Sequence, residues 1–222
     1  MMDAPDDIAG PAPAANLATR KGYHHGALRE ALLSAARKLI AEKGVAGFTL
    51  ADASRLAGVS GAAPYRHFRD KDELVAEVAR LGFQAFAERL GAAASAAAAH
   101  GGLAAFDAMG RAYLGFARTE PGAYAAMFAG GLRQGDAQLQ GAGEQAFQTL
   151  IGGLMQAFGG APPAGLDPVA LAFRIWALAH GVAMLEQTHA RRMGIDGEAA
   201  LSDGVRDLLR PYLGHPALTP AS

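Results

Sequence analysis

The chain has no cysteine. That excludes a disulfide framework, a thiolate zinc site and a cysteine nucleophile together, and it suits a reducing compartment. Lysine is scarce, with four residues in 222, and tryptophan occurs once. No uninterrupted apolar run approaches the roughly 20 residues that a spanning helix needs, so no membrane partner is expected. The opening MMDAPDDIAGPAPAANLATR carries neither a basic n-region nor an apolar h-region. It reads as a disordered acidic tail over residues 1–19, and the protein is expected to be cytoplasmic. Sustained period-two alternation flanked by hairpin turns is missing, so the fold class is all-α with essentially no sheet. Gly-x-Ser-x-Gly, P-loop, His-Glu-x-x-His and dinucleotide fingerprints are missing too, which argues against an enzyme and against a cofactor.

What is present is alanine and helical periodicity. Half of the chain is apolar, enough for a sizeable core built of helices. The net charge of −1 conceals a division. Arg20–Arg80 holds eleven Lys and Arg against seven Asp and Glu, and all four lysines fall there, whereas the flanking segments are both acidic. A basic N-terminal third on an acidic body suits a nucleic-acid module joined to something else.

The segment Phe48–Leu74, FTLADASRLAGVSGAAPYRHFRDKDEL, carries the clearest signal. A first helix over residues 27–43 aligns Leu28, Leu32, Ala35, Leu39 and Ile40 and stops at Gly44. Thr49 followed by Asp52 forms a capping box that opens a second helix, which Gly58 ends. Ser60 is expected to cap a third helix reaching Phe68. Asp70 with Glu73 then caps a long helix over 71–90. Helix, Gly58-Val59-Ser60 turn and helix make a helix-turn-helix, whose second helix is shaped for a DNA major groove. Residues 20–70 are therefore read as a DNA-binding head and 71–222 as a body, with helix 71–90 connecting the two. Further helices are expected at Leu103–Arg118, Pro121–Ala129, Asp136–Phe158, Pro168–Ala190 and Gly197–Tyr212, several opened by Asp or Pro.

At this point YHHGALREALLSAARKLIAEKG and FTLADASRLAGVSGAAPYRHFRDKDELVAEVA resemble the TetR (tetracycline-repressor) family of bacterial transcription regulators, over about Tyr23–Ala79. Farther on, Trp176, His180 and Gly181 look like the Trp-His-Gly signature of one subgroup of TetR-like ligand-binding domains. The resemblance implies about nine helices, three in the head and six in a ligand-binding and dimerisation body. It implies a regulator, here read as a repressor released from a palindromic operator by a small molecule. A protein-interaction adaptor that keeps the fold without sequence-specific DNA binding is the alternative.

On that reading, Thr49 and Ser60 cap helices whose N-termini attract phosphate, and Thr49 can donate its hydroxyl to one. Tyr65 matches the family tyrosine that reaches the DNA backbone, His67 faces the groove or its rim, and Lys71 adds a charge beside the same strand. Direct reading falls to Gly61, Ala62 and Ala63, none of which has a hydrogen-bonding side chain, so methyl contacts and DNA shape carry the specificity. Pro64 fits only within the first turn of the third helix. Lys21, Tyr23 and His24, in the stretch Arg20–His25, are read as an arm laid on the backbone or minor groove. No metal is expected: His24 and His25 are adjacent and point apart, and the lone Glu186-x-x-His189 pair falls short of a helical di-iron set.

In the body, Phe83, Phe86, Tyr113, Phe116, Tyr124, Met127, Phe128, Phe147, Trp176, His180 and Met184 are candidates to line a pocket for an apolar or aromatic effector. The helix Pro168–Ala190 is apolar all round, as expected of one buried on two sides. The last helix repeats Leu201, Val205, Leu208, Leu209 and Tyr212 on one stripe. A C2 homodimer through these two helices is expected.

Overall fold

The structure, a computed structural model, describes residues 17–130, 136–190 and 194–212, with side chains described from residue 26 onward apart from 189 and 190. Eight α-helices occur among the described residues, and no strand. They are α1 Leu17–Lys43, α2 Leu50–Leu56, α3 Lys71–Ala97, α4 Gly102–Thr119, α5 Pro121–Met127, α6 Ala137–Ala157, α7 Pro168–Leu185 and α8 Gly197–Leu209. A 3-10 turn, Pro64–Arg66, lies between α2 and α3. With that turn in the place of the expected third helix, the all-α plan of a three-element head and a six-helix body is met.

The helix ends are written in the sequence. Thr49 and Asp52 form the capping box of α2 reciprocally, through the Thr49 side chain and the Asp52 carboxylate. Gly58, at φ 69°, closes the same helix. The Val59 N–H reaches the Ser54 carbonyl at 3.0 Å and the Gly58 N–H that of Arg55 at 3.2 Å, a full Schellman ending. Asp70, Asp136, Asp167 and Asp196 each accept N–H groups at the starts of α3, α6, α7 and α8.

Two apolar cores follow. Leu32, Leu33, Ala36 and Ile40 of α1 close on Phe48, Ala53, Phe68 and the first turns of α3, with Ala126 of α5 sealing the edge. The second core lies among α3, α4, α6, α7 and α8, where Phe86 meets Tyr113 and Phe116 edge to face at 4.9 and 5.3 Å. Such pairs contribute about 0.5–1.5 kcal/mol each beyond burial. The 27-residue α3 belongs to both cores and runs about 40 Å. A second bridge is α5: its Gly122 lies so close to α1 that a Cβ there would overlap the Arg37 carbonyl.

Several expectations are corrected here. The first helix begins at Leu17, so the stretch Arg20–His25 continues α1 instead of preceding it as an arm. Of the expected disordered tail, residues 17–19 are helical and 1–16 lie outside the described residues. The third helix does not span Ser60–Phe68 but contracts to Pro64–Arg66. Pro64 has no N–H to offer the Ser60 carbonyl, so the helical ladder cannot start before it. Finally, Pro168–Thr188 is long and apolar enough to cross a membrane by length and composition. Arg174 interrupts it, which is why no uninterrupted run of that length is seen in the sequence.

Candidate nucleic-acid interface and aromatic cavity

The head turns a small set of side chains outward. Thr49, Ser60, Gly61, Ala62, Tyr65 and Arg66 are exposed, Tyr65 at 64%. Other residues expected at the interface are drawn inward. Ala63 and Pro64 are buried, because the shortened turn packs against the head. Ala63, and not Ser60, occupies the cap position of the 3-10 turn, without a side-chain bond. Lys71 donates to the Val45 carbonyl at 3.2 Å and lies 5.6 Å from the Phe48 ring centre, tying α3 to the head instead of extending to a phosphate. His67 is half-buried and lines a polar cleft with Arg29, Glu77, Arg80 and Asp136. The Thr49 hydroxyl donates to Asp52 at 2.7 Å, so its proton is engaged within the capping box. The hydrogen bonds from the Thr49 side chain and backbone hold the Asp52 carboxyl below its ordinary pKa. The side chains of Lys21, Tyr23 and His24 lie outside those described.

Arg66 is the residue that sequence reasoning misses. Its signal is a cation beside the exposed Tyr65, but nothing in the sequence says which neighbouring cations are neutralised.

The polar cleft joins head to body. Glu77 of α3 accepts from Arg80 at 2.7 Å on each carboxylate oxygen and also pairs with Arg29 of α1. Burial by itself would push its carboxyl pKa up, but the hydrogen bonds from Arg80 and Arg29 outweigh that and hold it below the ordinary value.

In the body two adjoining cavities of about 40 and 20 Å³ share Leu90, Tyr113, Leu150 and Trp176 as walls. Phe83, Phe86 and Phe147 line the smaller one, as expected, while Phe106, Ile175 and Leu201 line the larger. Ile175 and Leu201 are legible in the sequence only as helix-face residues, since periodicity does not say which apolar face meets a cavity. Phe116 and Met127 are buried core and line neither cavity. Met184, 45% exposed, faces out of the body, which removes it from the lining.

Beside the cavities runs a polar chain. Tyr113 Oη lies 3.1 Å from Tyr124 Oη, which lies 2.8 Å from His180 Nδ1. Phe128 covers it, its ring 4.5 Å from that of His180 and 4.9 Å from that of Tyr124. Burial pushes the Tyr113 phenol up to about 12 and raises Tyr124 further. Burial lowers the pKa of His180. Both phenols are therefore protonated and the imidazole neutral at pH 7, which makes the chain polar but uncharged. Each cavity has room for a few waters at most, so a larger guest must move the aromatic walls. One to two turns farther along α4 and α7, the helices of Tyr113 and His180, Arg118 donates to Glu186 at 3.0 and 2.6 Å, which engages the carboxylate of the Glu186-x-x-His189 pair. No group of three or more metal-ligating side chains occurs among the described residues.

Comparison with known proteins agrees with this geometry. Residues 32–78 match a family model described as bacterial regulatory proteins of the tetR family, and residues 106–208 match one described as the tetracyclin repressor-like C-terminal domain. No curated protein matches the sequence. Among solved structures, a protein of unknown function from Rhodococcus sp. RHA1 is 31% identical, with a TM-score of 0.70 over 85% of this chain and 97% of its own. The TetR family transcriptional regulator PfmR from Thermus thermophilus shares the fold at 18% identity, with a TM-score of 0.61 over 81% of this chain and 97% of its own. The SmeT–triclosan complex does so at 21%, with a TM-score of 0.62 over 88% and 96%.

Proposed function

The chain belongs to the TetR family of DNA-binding transcription regulators, and from that premise we propose that it is a homodimeric cytoplasmic repressor released from a palindromic operator by a small molecule. The observation that carries the effector half of this reading is the uncharged Tyr113–Tyr124–His180 chain set beside two aromatic-walled cavities. A mainly apolar or aromatic guest suits such a site, because the Tyr113–Tyr124–His180 chain offers hydrogen bonds without charge. Asp107, on the wall of the larger cavity beside Ser202, is already paired with Arg111. Among proteins of this fold, SmeT forms a complex with triclosan. Trp176, His180 and Gly181 align the body with the Trp-His-Gly subgroup.

Release follows from the architecture. A guest that parts the walls moves Phe83 and Phe86, both on α3, and α3 also carries part of the head core. The ligand acts only so far as it prefers the released spacing of the heads. Residues 20–70 serve as the DNA-binding head, with Ser60, Gly61, Ala62 and Tyr65 against the duplex. The dimer forms through α7 and α8, and α7 leaves Val169, Phe173, Met184 and Leu185 exposed.

An adaptor without sequence-specific DNA binding is the second reading, and the contraction of the recognition element to Pro64–Arg66 favours it. Titration of the purified protein with duplex DNA across a range of salt, with the mass of the complex determined, separates the two. One dimer per duplex, with affinity falling steeply as salt rises, supports the repressor. Weak association of no fixed stoichiometry supports the adaptor.

A further inference from the structure

We infer that Arg66 reads a guanine in each operator half-site, and that it is the principal base-reading side chain of the head. The inference rests on the reading of the head as a DNA-binding module. It starts from what the turn presents. Of the four Lys and Arg side chains between Thr49 and Lys71, three are engaged. Arg55 pairs with Asp52 at 2.9 Å, Arg69 with Glu73 at 3.1 Å, and Lys71 is bonded to the Val45 carbonyl. Arg66 is exposed and makes no ion pair among the described residues.

Its placement matters as much as its freedom. Arg66 closes the 3-10 turn that stands where the recognition helix was expected, next to the 64%-exposed Tyr65. The exposed residues leading into that turn are Ser60, Gly61 and Ala62, all small. They let the backbone come close to the floor of a major groove while offering almost nothing that can tell one base from another. Ala63, Pro64 and Phe68 are buried, and His67 lines the cleft toward the body. With Tyr65 read as a contact to the DNA backbone, a long, free guanidinium on a turn of small residues is left as the group that can span the gap.

Chemistry then names the base. A guanidinium offers parallel N–H donors in a planar fork, which matches the O6 and N7 acceptors that guanine presents in the major groove. Adenine presents a donor at one of those positions and so fits poorly. Contact with a phosphate is the competing role for any surface arginine, and it would carry no sequence information.

The test is selection from a random-sequence duplex library by the full-length protein, by Arg66→Ala and by Arg66→Gln, with affinities measured across salt. The wild type is expected to enrich a palindrome with one guanine per half-site preferred by ~10-fold or more. Arg66→Ala should lose that preference and keep the rest of the motif. Arg66→Gln should shift it toward adenine, whose N6 and N7 a glutamine amide matches. The inference is overturned if both variants enrich the wild-type motif unchanged, bind every sequence more weakly, and show a salt slope reduced by about one phosphate contact. If the wild type enriches no motif at all, the DNA-reading function itself fails, a different result from that of an intact motif indifferent to Arg66.

Discussion

The phenol of Tyr124 and the imidazole of His180, 56 residues apart in sequence, meet at 2.8 Å between Oη and Nδ1. The direction of that bond fixes the rest of the chain. The imidazole is neutral and the phenol protonated. With the ring proton on Nε2, Nδ1 accepts from Tyr124; with it on Nδ1, the imidazole donates to the phenol oxygen. Where Tyr124 donates to Nδ1, its oxygen accepts from Tyr113 at 3.1 Å. Removing the middle member takes the partner from His180 Nδ1 and one of two from Tyr113, whose phenol also bonds Trp176. Tyr124→Phe should therefore cost about 1–3 kcal/mol of stability in a urea titration, although it deletes a single oxygen. Unchanged stability would show that the chain does not hold the body together.

His180 also predicts a pH dependence. Burial holds its pKa below the ordinary value of 6.5, so the unfolded chain takes up the proton first as the pH falls. Between the two pKa values the unfolded state binds more protons, and stability rises with pH there. The contribution is fully present above about pH 6.5 and is lost progressively as the pH drops toward the folded pKa. His180→Asn keeps an acceptor for Tyr124 but cannot titrate. Unfolding measured from neutral to mildly acid pH should show a shallower loss in the variant, and parallel curves would contradict this account.

Two glycines make opposite predictions. Gly122 packs α5 against the backbone of α1, and an added Cβ would overlap the Arg37 carbonyl. Gly122→Ala must push the helices apart and should destabilise by about 1–3 kcal/mol or more. Gly152, within α6, has nothing within 4 Å of the position its Cβ would take. Gly152→Ala should stabilise by up to about 1 kcal/mol, since it removes only the conformational freedom of the unfolded chain. Thermal melts of the pair, made side by side, check both signs.

The exposed face of α7 predicts the assembly. Val169 and Phe173, one turn apart, are 52% and 59% exposed, and Met184, farther along the same face, is 45% exposed. Such a stripe is costly to leave in water and is suited to a second copy of itself about a two-fold axis. Sedimentation should give a dimer for the wild type, and Phe173→Glu should give a monomer. A monomeric wild type would remove the dimer from the account.

Much of this is legible in the sequence, and the rest is not for identifiable reasons. Thr49 with Asp52, Gly58, and the aspartates before α3, α6, α7 and α8 announce helix ends because capping is a local interaction. The pairing of Tyr113, Tyr124 and His180 cannot be read there, since it joins three helices over long separations. The sequence points Met184 into the pocket because α7 is apolar on every face, and periodicity on such a helix does not say which side is inside. Their place beside the recognition element directs Lys71 and His67 at DNA when only the sequence is read. In the folded head, the Val45 carbonyl and the cleft at Glu77 draw them away. Pro64 is the sequence's own warning of a shortened helix.

The central claim is that this chain reads a two-fold symmetric DNA site, and selection of sheared genomic DNA from the source organism tests it most directly. The purified full-length protein, held at near-physiological salt, captures fragments that are then sequenced. The account predicts enrichment of one short palindrome whose half-sites lie about 34–36 Å apart along the duplex, or a multiple of that spacing. Captured fragments with no shared motif, or with a motif lacking dyad symmetry, would contradict it.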